Sequence, residues 1–439
     1  MCQKQQRNKN LTNSMILLII MLIYKLALEL GFWFLLSKAY WGLGVYRYDF
    51  NLGKYLLGFI WCFLLFAMIR HDIRKPSVFF LELEYFMAII PITVIFAFSN
   101  ENILYYTAVC SGFAVAEIVV WMGKDIVIPK INLASKIIII AFYIITIIVY
   151  ITIVLQNGMF SLKALDIYEV YSVRSDFQLN KYVGYLFNWQ YTIITPFLIV
   201  RAIDRKKYVT VITLCGLQFL AYLYAAQKSI LFVIPLVVGI AIVSNLKSFN
   251  KLAFCGLSMG TVLVTSLGFK LNFFYQLYDL FVRRVLILSA NLKFIYYDYF
   301  STHTLIGLAG TLWGKFLGIE FPYKERIGII ISKEYFNKPE MNSNTGFWAE
   351  GYYRFGLFGI LLVGILFALL ILVIDEFAKW NGYSFALGIS FFAIFILNDG
   401  GIIDSILFGP LTVLIFLCLF YNKEDDFKKI KFDRKKDNS

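Results

Sequence analysis

The sequence has few of the residues that soluble enzymes use for charge and for metal binding. Only 16% of its 439 residues are Asp, Glu, Lys or Arg, and it has just two histidines. Soluble domains carry about 25% charged residues and about 45–50% apolar ones, whereas 60% of this chain is hydrophobic and 18% is aromatic. These proportions exclude a soluble globular domain and a disordered chain, and they favour a protein that spans a membrane several times.

Motifs for metals, cofactors and nucleic acids are also missing. None of the six cysteines forms a CxxC pair, and five of them lie inside apolar runs, which indicates neither a disulfide framework nor a metal site. The chain has no GxGxxG, no P-loop and no HExxH, and its predicted outer loops have no DxD pair. Any reaction is therefore predicted to need no metal and no cofactor, and no nucleic acid is expected as a partner.

Long apolar runs are abundant instead. A helix needs about 20 mostly apolar residues to cross a bilayer, and these runs lack the alternation of barrel strands. We predict an all-α polytopic membrane protein with about 12 transmembrane helices. The predicted spans are 15–36, 53–69, 79–98, 103–122, 137–155, 183–200, 208–226, 229–245, 252–269, 355–374, 383–397 and 403–421. Nine of them form a membrane bundle within 1–269, and the last three fall within 355–421.

The distribution of the net charge of +13 predicts the orientation of these spans. If both termini are cytoplasmic, the cytoplasmic segments carry 23 of the 41 Lys and Arg residues, and the outer connections of ordinary length carry seven. Positive charge concentrates on the cytoplasmic side of membrane proteins. The tail 422–439 is basic as well, which is typical of a contact with anionic membrane lipids.

Two outer loops are much longer than the rest, at 156–182 and 270–354. Long ordered loops usually carry function. The larger loop contains a stretch, 273–300, that is amphipathic and rich in Tyr and Phe, as expected of helices in the membrane interface. The smaller one contains Arg174, and a tight turn nearer the middle of the chain carries Lys228.

The outer segments retain several cations that are candidates for binding phosphate. The planar fork of arginine suits pyrophosphate, because it can bind two oxygens at once. The alternative is that each is solvated or paired with a carboxylate. Arg283 and Arg284 are neighbours on a predicted helix and point about 100° apart, so only one of them should face a given ligand. The candidate cations are Arg174, Lys228, Arg283, Arg284, Arg326 and Arg354.

The segment 342–359, NSNTGFWAEGYYRFGLFG, is the most distinctive in the chain. Glu350 and Arg354 are four residues apart and share one helix face if the helix begins early. They form either an ion pair at the start of the helix or a base with a phosphate ligand. His303, in the large loop, is the second candidate base. Aromatic residues that could stack on sugars are Tyr296, Tyr297, Trp313, Tyr323 and Trp348.

These features resemble the Wzy-type O-antigen, or oligosaccharide repeat-unit, polymerases of bacterial inner membranes. The resemblance rests on the number of spans, on the outer-loop arginines in 168–185 and 281–300, and on the glycine-rich segment 342–359. Some members show an arginine eleven residues before a glycine in the outer loops, and here Arg174 and Gly184 are one residue closer.

The resemblance implies a GT-C-like glycosyltransferase of the inner membrane that extends glycans on its outer face. Donor and acceptor would both be undecaprenyl-pyrophosphate-linked oligosaccharides, the product would be O-antigen, capsule or exopolysaccharide, and the partners would include a chain-length regulator and a flippase. The arginines would hold the pyrophosphate, and Glu350 or His303 would activate the attacking hydroxyl. An O-antigen ligase and a lipid-linked oligosaccharide flippase or transporter are the alternatives.

Overall fold

A computed structural model of the chain describes residues 2–39, 45–71, 73–123, 127, 134–166, 169–339 and 341–427, with side chains from residue 14 onward except at 171. Every regular element in these ranges is a helix, and they contain no strand. The predicted all-α class is therefore confirmed. Most of the basic tail, from residue 428 onward, lies outside the described residues.

The helices are numbered here in chain order. π-helical turns extend α1 (Phe32–Leu36), join α7 to α8 (Gln190–Ile194) and join α12 to α13 (Tyr278–Ile287). The helices are α1 (Cys2–Gly31), α2 (Leu52–Met68), α3 (Pro76–Phe98), α4 (Ile103–Met122), α5 (Ser135–Asn157), α6 (Val170–Asp176), α7 (Lys181–Trp189), α8 (Thr195–Asp204), α9 (Tyr208–Ala225), α10 (Lys228–Val243), α11 (Phe249–Gly268), α12 (Asn272–Leu277), α13 (Leu288–Thr302), α14 (Leu312–Phe316), α15 (Ile327–Phe336), α16 (Phe347–Asn381), α17 (Tyr383–Asn398), α18 (Ile402–Phe408), α19 (Pro410–Phe420) and α20 (Lys423–Phe427).

Seven helices of the described residues are long and apolar enough to cross a membrane, and α18 with α19 make an eighth if this pair, bent by 59°, is one broken span. All twelve predicted stretches coincide with helices. Three of them fall on the shorter apolar helices α2, α10 and α17, and 183–200 falls on the joined pair α7–α8. The chain is thus a helical protein suited to a membrane, and the count of about twelve crossings stays a prediction.

The chain divides into two compact units, each built from segments that are distant in sequence. Unit 1 contains residues 1–126, 243–372 and 393–411, and unit 2 contains residues 127–242, 373–392 and 412–439. Each of the predicted domains, by contrast, is one continuous range of the chain.

Helix α3 is the centre of unit 1. The whole of its apolar window is buried, and its second half packs against α1, α2, α4 and α13. Such a helix is apolar on all sides, so its two carboxylates need partners inside the unit. Glu82 Oε1 lies 2.8 Å from His71 Nδ1, and Glu82 accepts a hydrogen bond from Asn250 (2.8 Å). Glu84 accepts one from the indole N–H of Trp348 (2.8 Å).

Unit 2 has its own apolar core, in which Val149 and Ile153 of α5 pack with Phe187 of α7 and Ile230 of α10. The turn between α9 and α10 is as tight as predicted. Ala226 adopts a left-handed conformation with φ of 49°, and α10 begins two residues later at Lys228.

Contacts within the units support the predicted alternation of sides. In unit 2, segments predicted to be cytoplasmic meet: Arg201 binds Asp426 (2.7 Å), and Ser135 donates to the carbonyl of Asn422 (2.9 Å). In unit 1, Arg74 of the predicted cytoplasmic connection 70–75 donates to the carbonyl of Ser244 (2.6 Å), which lies at the end of the predicted span 229–245. Which side faces the cytoplasm stays a prediction.

Candidate functional site

Glu350 and Arg354 form a buried ion pair in unit 1. Helix α16 begins at Phe347, early enough to place both residues on one face, and Arg354 Nε lies 3.1 Å from Glu350 Oε1. Their side chains are 0% and 3% exposed. Of the two arrangements that the i,i+4 spacing allowed, the structure contains the ion pair.

Arg354 has further partners that hold two loops against the helix. Its Nη1 donates to the carbonyls of Gly307 (2.8 Å) and Ala309 (3.3 Å), and its Nη2 donates to Asp404 (2.8 Å). Glu350 also accepts from the backbone N–H groups of Ile403 (2.9 Å) and Asp404 (3.3 Å). One guanidinium thus meets two carboxylates, and four of its five N–H groups are engaged. In this arrangement the cluster is a structural clamp rather than an open phosphate site.

The glycines of segment 342–359 make this packing possible. Gly356 has φ of 65° and ends the first two turns of α16, so the chain restarts in a new direction. A Cβ on Gly351 would lie 2.5 Å from the carbonyl oxygen of Gly359, and a Cβ on Gly401 would lie 2.4 Å from Glu350. Only residues without a side chain allow backbones to approach so closely.

A second buried network surrounds Lys293, a residue that the sequence analysis did not single out. Its ammonium group donates to Ser289 Oγ (2.8 Å) and to Asn398 Oδ1 (3.0 Å), and its side chain is fully buried. Burial lowers the pKa of Lys293 to about 8, although the negative charges of Glu84 and Asp399 oppose this shift.

Loop 398–404, which runs from the last residue of α17 into the first turn of α18, connects the two networks. Its first residue, Asn398, binds Lys293, and its last, Asp404, binds Arg354. Asp399 and Asp404 are both exposed, whereas the cations behind them are buried. A pair of glycines, Gly400 and Gly401, lies between the two aspartates. The sequence signal that could have pointed to this loop is the pattern NDGGIID, which lies between two apolar runs.

The other predicted cations of the large loop differ in exposure and in whether a carboxylate binds them. Arg283 is half-buried and forms a two-point ion pair with Asp279 (2.8 Å between Nη2 and Oδ2), whereas Arg284 is exposed. Arg283 also lies against the hydroxyl of Tyr46. The two neighbours therefore point in different directions, as expected. Arg326 is exposed just before α15.

His303 lies at the end of α13 and is exposed. Its ring stacks on Tyr299 (3.9 Å between ring centroids), and its Nδ1 lies 2.8 Å from the carbonyl oxygen of Tyr299. Because a carbonyl only accepts, Nδ1 carries the proton and Nε2 remains available. His303 has no contact with the Glu350–Arg354 pair among the described residues.

The two remaining predicted cations lie in unit 2. Arg174 is exposed on the short helix α6, and Lys228 is the half-buried first residue of α10. Unit 2 also orders the smaller loop, in which Asn157 donates to the carbonyl of Gln178 (2.9 Å). The structure thus brings together Glu350 and Arg354 but places Arg174 and Lys228 in a different unit.

The aromatic candidates divide into buried and exposed ones. Trp348 is fully buried and binds Glu84, and the Tyr296 hydroxyl donates to the carbonyl of Ser343 (2.7 Å). Tyr297 packs beside Tyr352, and Trp313 is 52% exposed. Trp348 and Tyr296 are therefore part of the packing, and Trp313 has the open face that stacking on a sugar needs. The Tyr323 hydroxyl donates to the carbonyl of Thr304.

The stretch 273–300 is helical throughout. From Ser289 onward most of its side chains are buried, including the polar Asn291 and Lys293. Only its first part has the exposed face of an interfacial helix.

Among the described residues no group of three or more His, Cys, Asp or Glu side chains could hold a metal ion. No family model matches the chain, and searches of characterised proteins and of solved structures found no match.

Proposed function

We propose that this chain is a membrane glycosyltransferase with a GT-C-like plan that polymerises lipid-linked oligosaccharide repeat units. Its substrates are undecaprenyl-pyrophosphate-linked glycans, presented on the outer face of a bacterial inner membrane. The observation that carries the proposal is that the large connection 270–354 is folded. It folds into helices α12 to α15, and two of its residues, Lys293 and Arg354, bind Asn398 and Asp404 of loop 398–404.

The exposed arginines of this connection are the best candidates for binding the pyrophosphate. Arg284 and Arg326 are exposed, whereas Arg283 and Arg354 are engaged by carboxylates. A pyrophosphate leaves more easily when fixed cations stabilise its developing charge, and arginines do this without a metal. Arg174 and Lys228 of unit 2 remain proposed as further cations for a lipid-linked substrate.

A flippase or transporter is the second candidate, and one observation favours it. Glu117 of α4 is buried, and neither of its carboxylate oxygens has a hydrogen-bond partner among the described residues. An ionisable group inside a span is a functional candidate by default. Lys25 and Glu29, by contrast, are paired with each other. An O-antigen ligase shares the outer-loop plan and differs only in its acceptor.

A glycan ladder gel tests the proposal. Cells that lack the gene should lose the long polymer ladder but keep a single repeat unit on its final acceptor. The variant Arg284→Ala/Arg326→Ala should reduce the ladder at least about tenfold, which corresponds to about 1.4 kcal/mol. The charge-matched control Lys315→Ala/Lys338→Ala, on the same connection, should leave the ladder unchanged.

Membrane levels of all variants are measured alongside, by immunoblot. Loss of the single-unit product on deletion would contradict the proposal and favour a ligase or a flippase. A full-length ladder from the Arg284/Arg326 variant would remove these two residues from the site.

A further inference from the structure

Loop 398–404 is fixed at both ends by buried groups. At its start, Asn398 accepts from Lys293, and the Asn398 carbonyl accepts from the Ser289 hydroxyl (2.7 Å). At its end, Glu350 accepts from the N–H groups of Ile403 and Asp404. Contacts at both ends hold the residues between them in place, as supporting contacts do for a functional side chain.

Asp399 is the side chain that this anchoring presents. Asp399 is an exposed residue, and the buried ammonium group of Lys293 holds the residue before it, Asn398, by the side-chain oxygen (3.0 Å). The charged groups around Lys293 are Asp399 on the loop and Glu84 on α3. Desolvation of its carboxyl group raises the pKa of Asp399, and the Lys293 charge lowers it.

The neighbouring carboxylates are engaged elsewhere. Glu350 is fully buried and holds Arg354, Asp404 binds Arg354, and Asp298 accepts from the Tyr335 hydroxyl (2.7 Å). Glu350 would have to leave its partners before it could reach a substrate. Asp399, by contrast, is an exposed residue.

We propose that Asp399 is the carboxylate that receives the proton of the acceptor sugar hydroxyl, and that Lys293 is the positioning residue that holds it. This proposal rests on the proposed glycosyltransferase function. It assigns to Asp399 the role that the sequence suggested for Glu350 or His303.

In the reaction, the acceptor hydroxyl oxygen attacks the anomeric carbon of the donor glycan. The bond from that carbon to the phosphate oxygen breaks, and its electron pair leaves with the lipid pyrophosphate. The hydroxyl proton moves to the Asp399 carboxylate and then to water. No oxidant, reductant or further reactant is needed.

The first test uses the glycan ladder of deletion cells complemented with the full-length chain. Asp399→Asn should lower polymer formation by about 10²–10⁴-fold, the usual contribution of a general base, at an unchanged membrane level. Glu320→Gln, which neutralises another exposed carboxylate of unit 1, is the matched control and should keep the wild-type ladder.

The outcomes separate this proposal from the one on which it rests. A wild-type ladder from Asp399→Asn, when deletion itself removes the ladder, overturns the role of Asp399 and leaves the polymerase function standing. Loss of the single-unit product on deletion overturns the polymerase function, whatever Asp399→Asn does.

The role of Lys293 is tested by a pH profile. Wild-type protein and Lys293→Met are reconstituted with lipid-linked repeat units extracted from the deletion strain, and polymer formation is followed from pH 5 to 9. Loss of the cation raises the pKa of Asp399, so the acidic limb of the profile should move to higher pH. A lower rate with an unmoved limb would show that Lys293 is only structural. If Lys293→Met does not reach the membrane, Asp399→Asn alone decides the proposal.

Discussion

At the scale of single residues, Arg354 is a buried cation whose stability depends on Glu350. Removing one partner of a buried pair costs about 3–5 kcal/mol when the other charge is left without compensation. Asp404 still pairs with Arg354 here, so the lower end of that range applies. We expect Glu350→Ala to lower the free energy of unfolding by about that amount, measured by denaturant titration in detergent micelles. The double variant Glu350→Ala/Arg354→Met should recover part of the loss. Arg354→Met alone completes the cycle, and a loss in the double variant equal to the sum of the two single losses would show that the pair is not coupled.

The close contact between Gly351 and Gly359 gives a second prediction. A Cβ on Gly359 would lie 1.9 Å from the carbonyl oxygen of Gly351, so the two backbones must separate. Gly359→Ala should destabilise the protein by about 1–3 kcal/mol, as overpacking usually does, and should lower its melting temperature in micelles. Gly216→Ala is the matched control, since a Cβ there has no neighbour within 4 Å. Equal melting temperatures for the two variants would contradict the packing described here.

A third prediction concerns Glu101, in the turn between α3 and α4. Burial and the nearby charge of Asp298 raise its pKa to about 7. A carboxyl whose pKa is raised in the folded state favours folding when protonated, so this stability is lost as the pH rises from about 4 to 7. The melting temperature of Glu101→Gln should therefore fall less than that of the wild type between pH 5 and 8. Glu320→Gln should follow the wild-type curve.

Sequence reasoning identified some of these residues and missed others for a physical reason. Glu350 and Arg354 are four residues apart, so their pairing follows from helix geometry alone. Lys293 meets Asn398 across 105 positions of sequence, and no local pattern signals such a contact. Its sequence surroundings suggested an exposed interfacial face, whereas the fold buries it.

At the scale of elements, helix α20 at the end of the described chain is a latch on unit 2. Asp426 is buried between Arg201 and Arg205. Burial would raise the pKa of Asp426, but the hydrogen bonds and charge of the arginines outweigh it and lower that pKa. The latch is therefore stable at neutral pH and is lost only as the pH falls below about 4.

Neutralising this carboxylate should release the latch. In Asp426→Asn we expect trypsin to cleave after Lys423 at least about tenfold faster than in the wild type, a change of about 1.4 kcal/mol in the opening equilibrium. Glu424→Gln, at an exposed position of the same helix, should be cleaved at the wild-type rate. Equal rates for both variants would mean that α20 is held by other contacts.

The positions of the helices could be predicted from the lengths of the apolar runs, because the backbone N–H and C=O groups of a run that crosses a bilayer must form their hydrogen bonds within one helix. The irregularities of these helices could not be predicted in this way. The π-helical turn Tyr278–Ile287 and the break at Gly356 depend on packing against distant segments. A glycine in the sequence marks where a break is possible, and it does not show that one occurs.

At the scale of the whole molecule, the predicted orientation can be tested by cysteine labelling. Glu320→Cys should react with a membrane-impermeant maleimide in intact cells, and Glu424→Cys only after permeabilisation, because the positive-inside distribution places the tail in the cytoplasm. The described native cysteines are buried or half-buried, and the protein without an introduced cysteine gives the background. The reverse pattern would invert the topology and remove loop 398–404 from the outer face.

Composition predicted the fold class because a chain this apolar is stable only with its backbone hydrogen bonds satisfied inside helices. It could not predict the two units. Each unit joins early and late segments of the chain, and such an arrangement is decided by side-chain fit between helices rather than by the period of any one of them.

The first two turns of α16 are also joined to the loop after α13 by backbone hydrogen bonds. The N–H groups of Ile306 and Gly307 donate to the carbonyls of Tyr353 and Arg354, both at 3.0 Å. Since the Arg354 side chain holds the carbonyls of the same loop, neither segment can open without the other. In hydrogen–deuterium exchange the two stretches should therefore become labelled together, as one cooperative unit, even though about 45 residues of chain separate them.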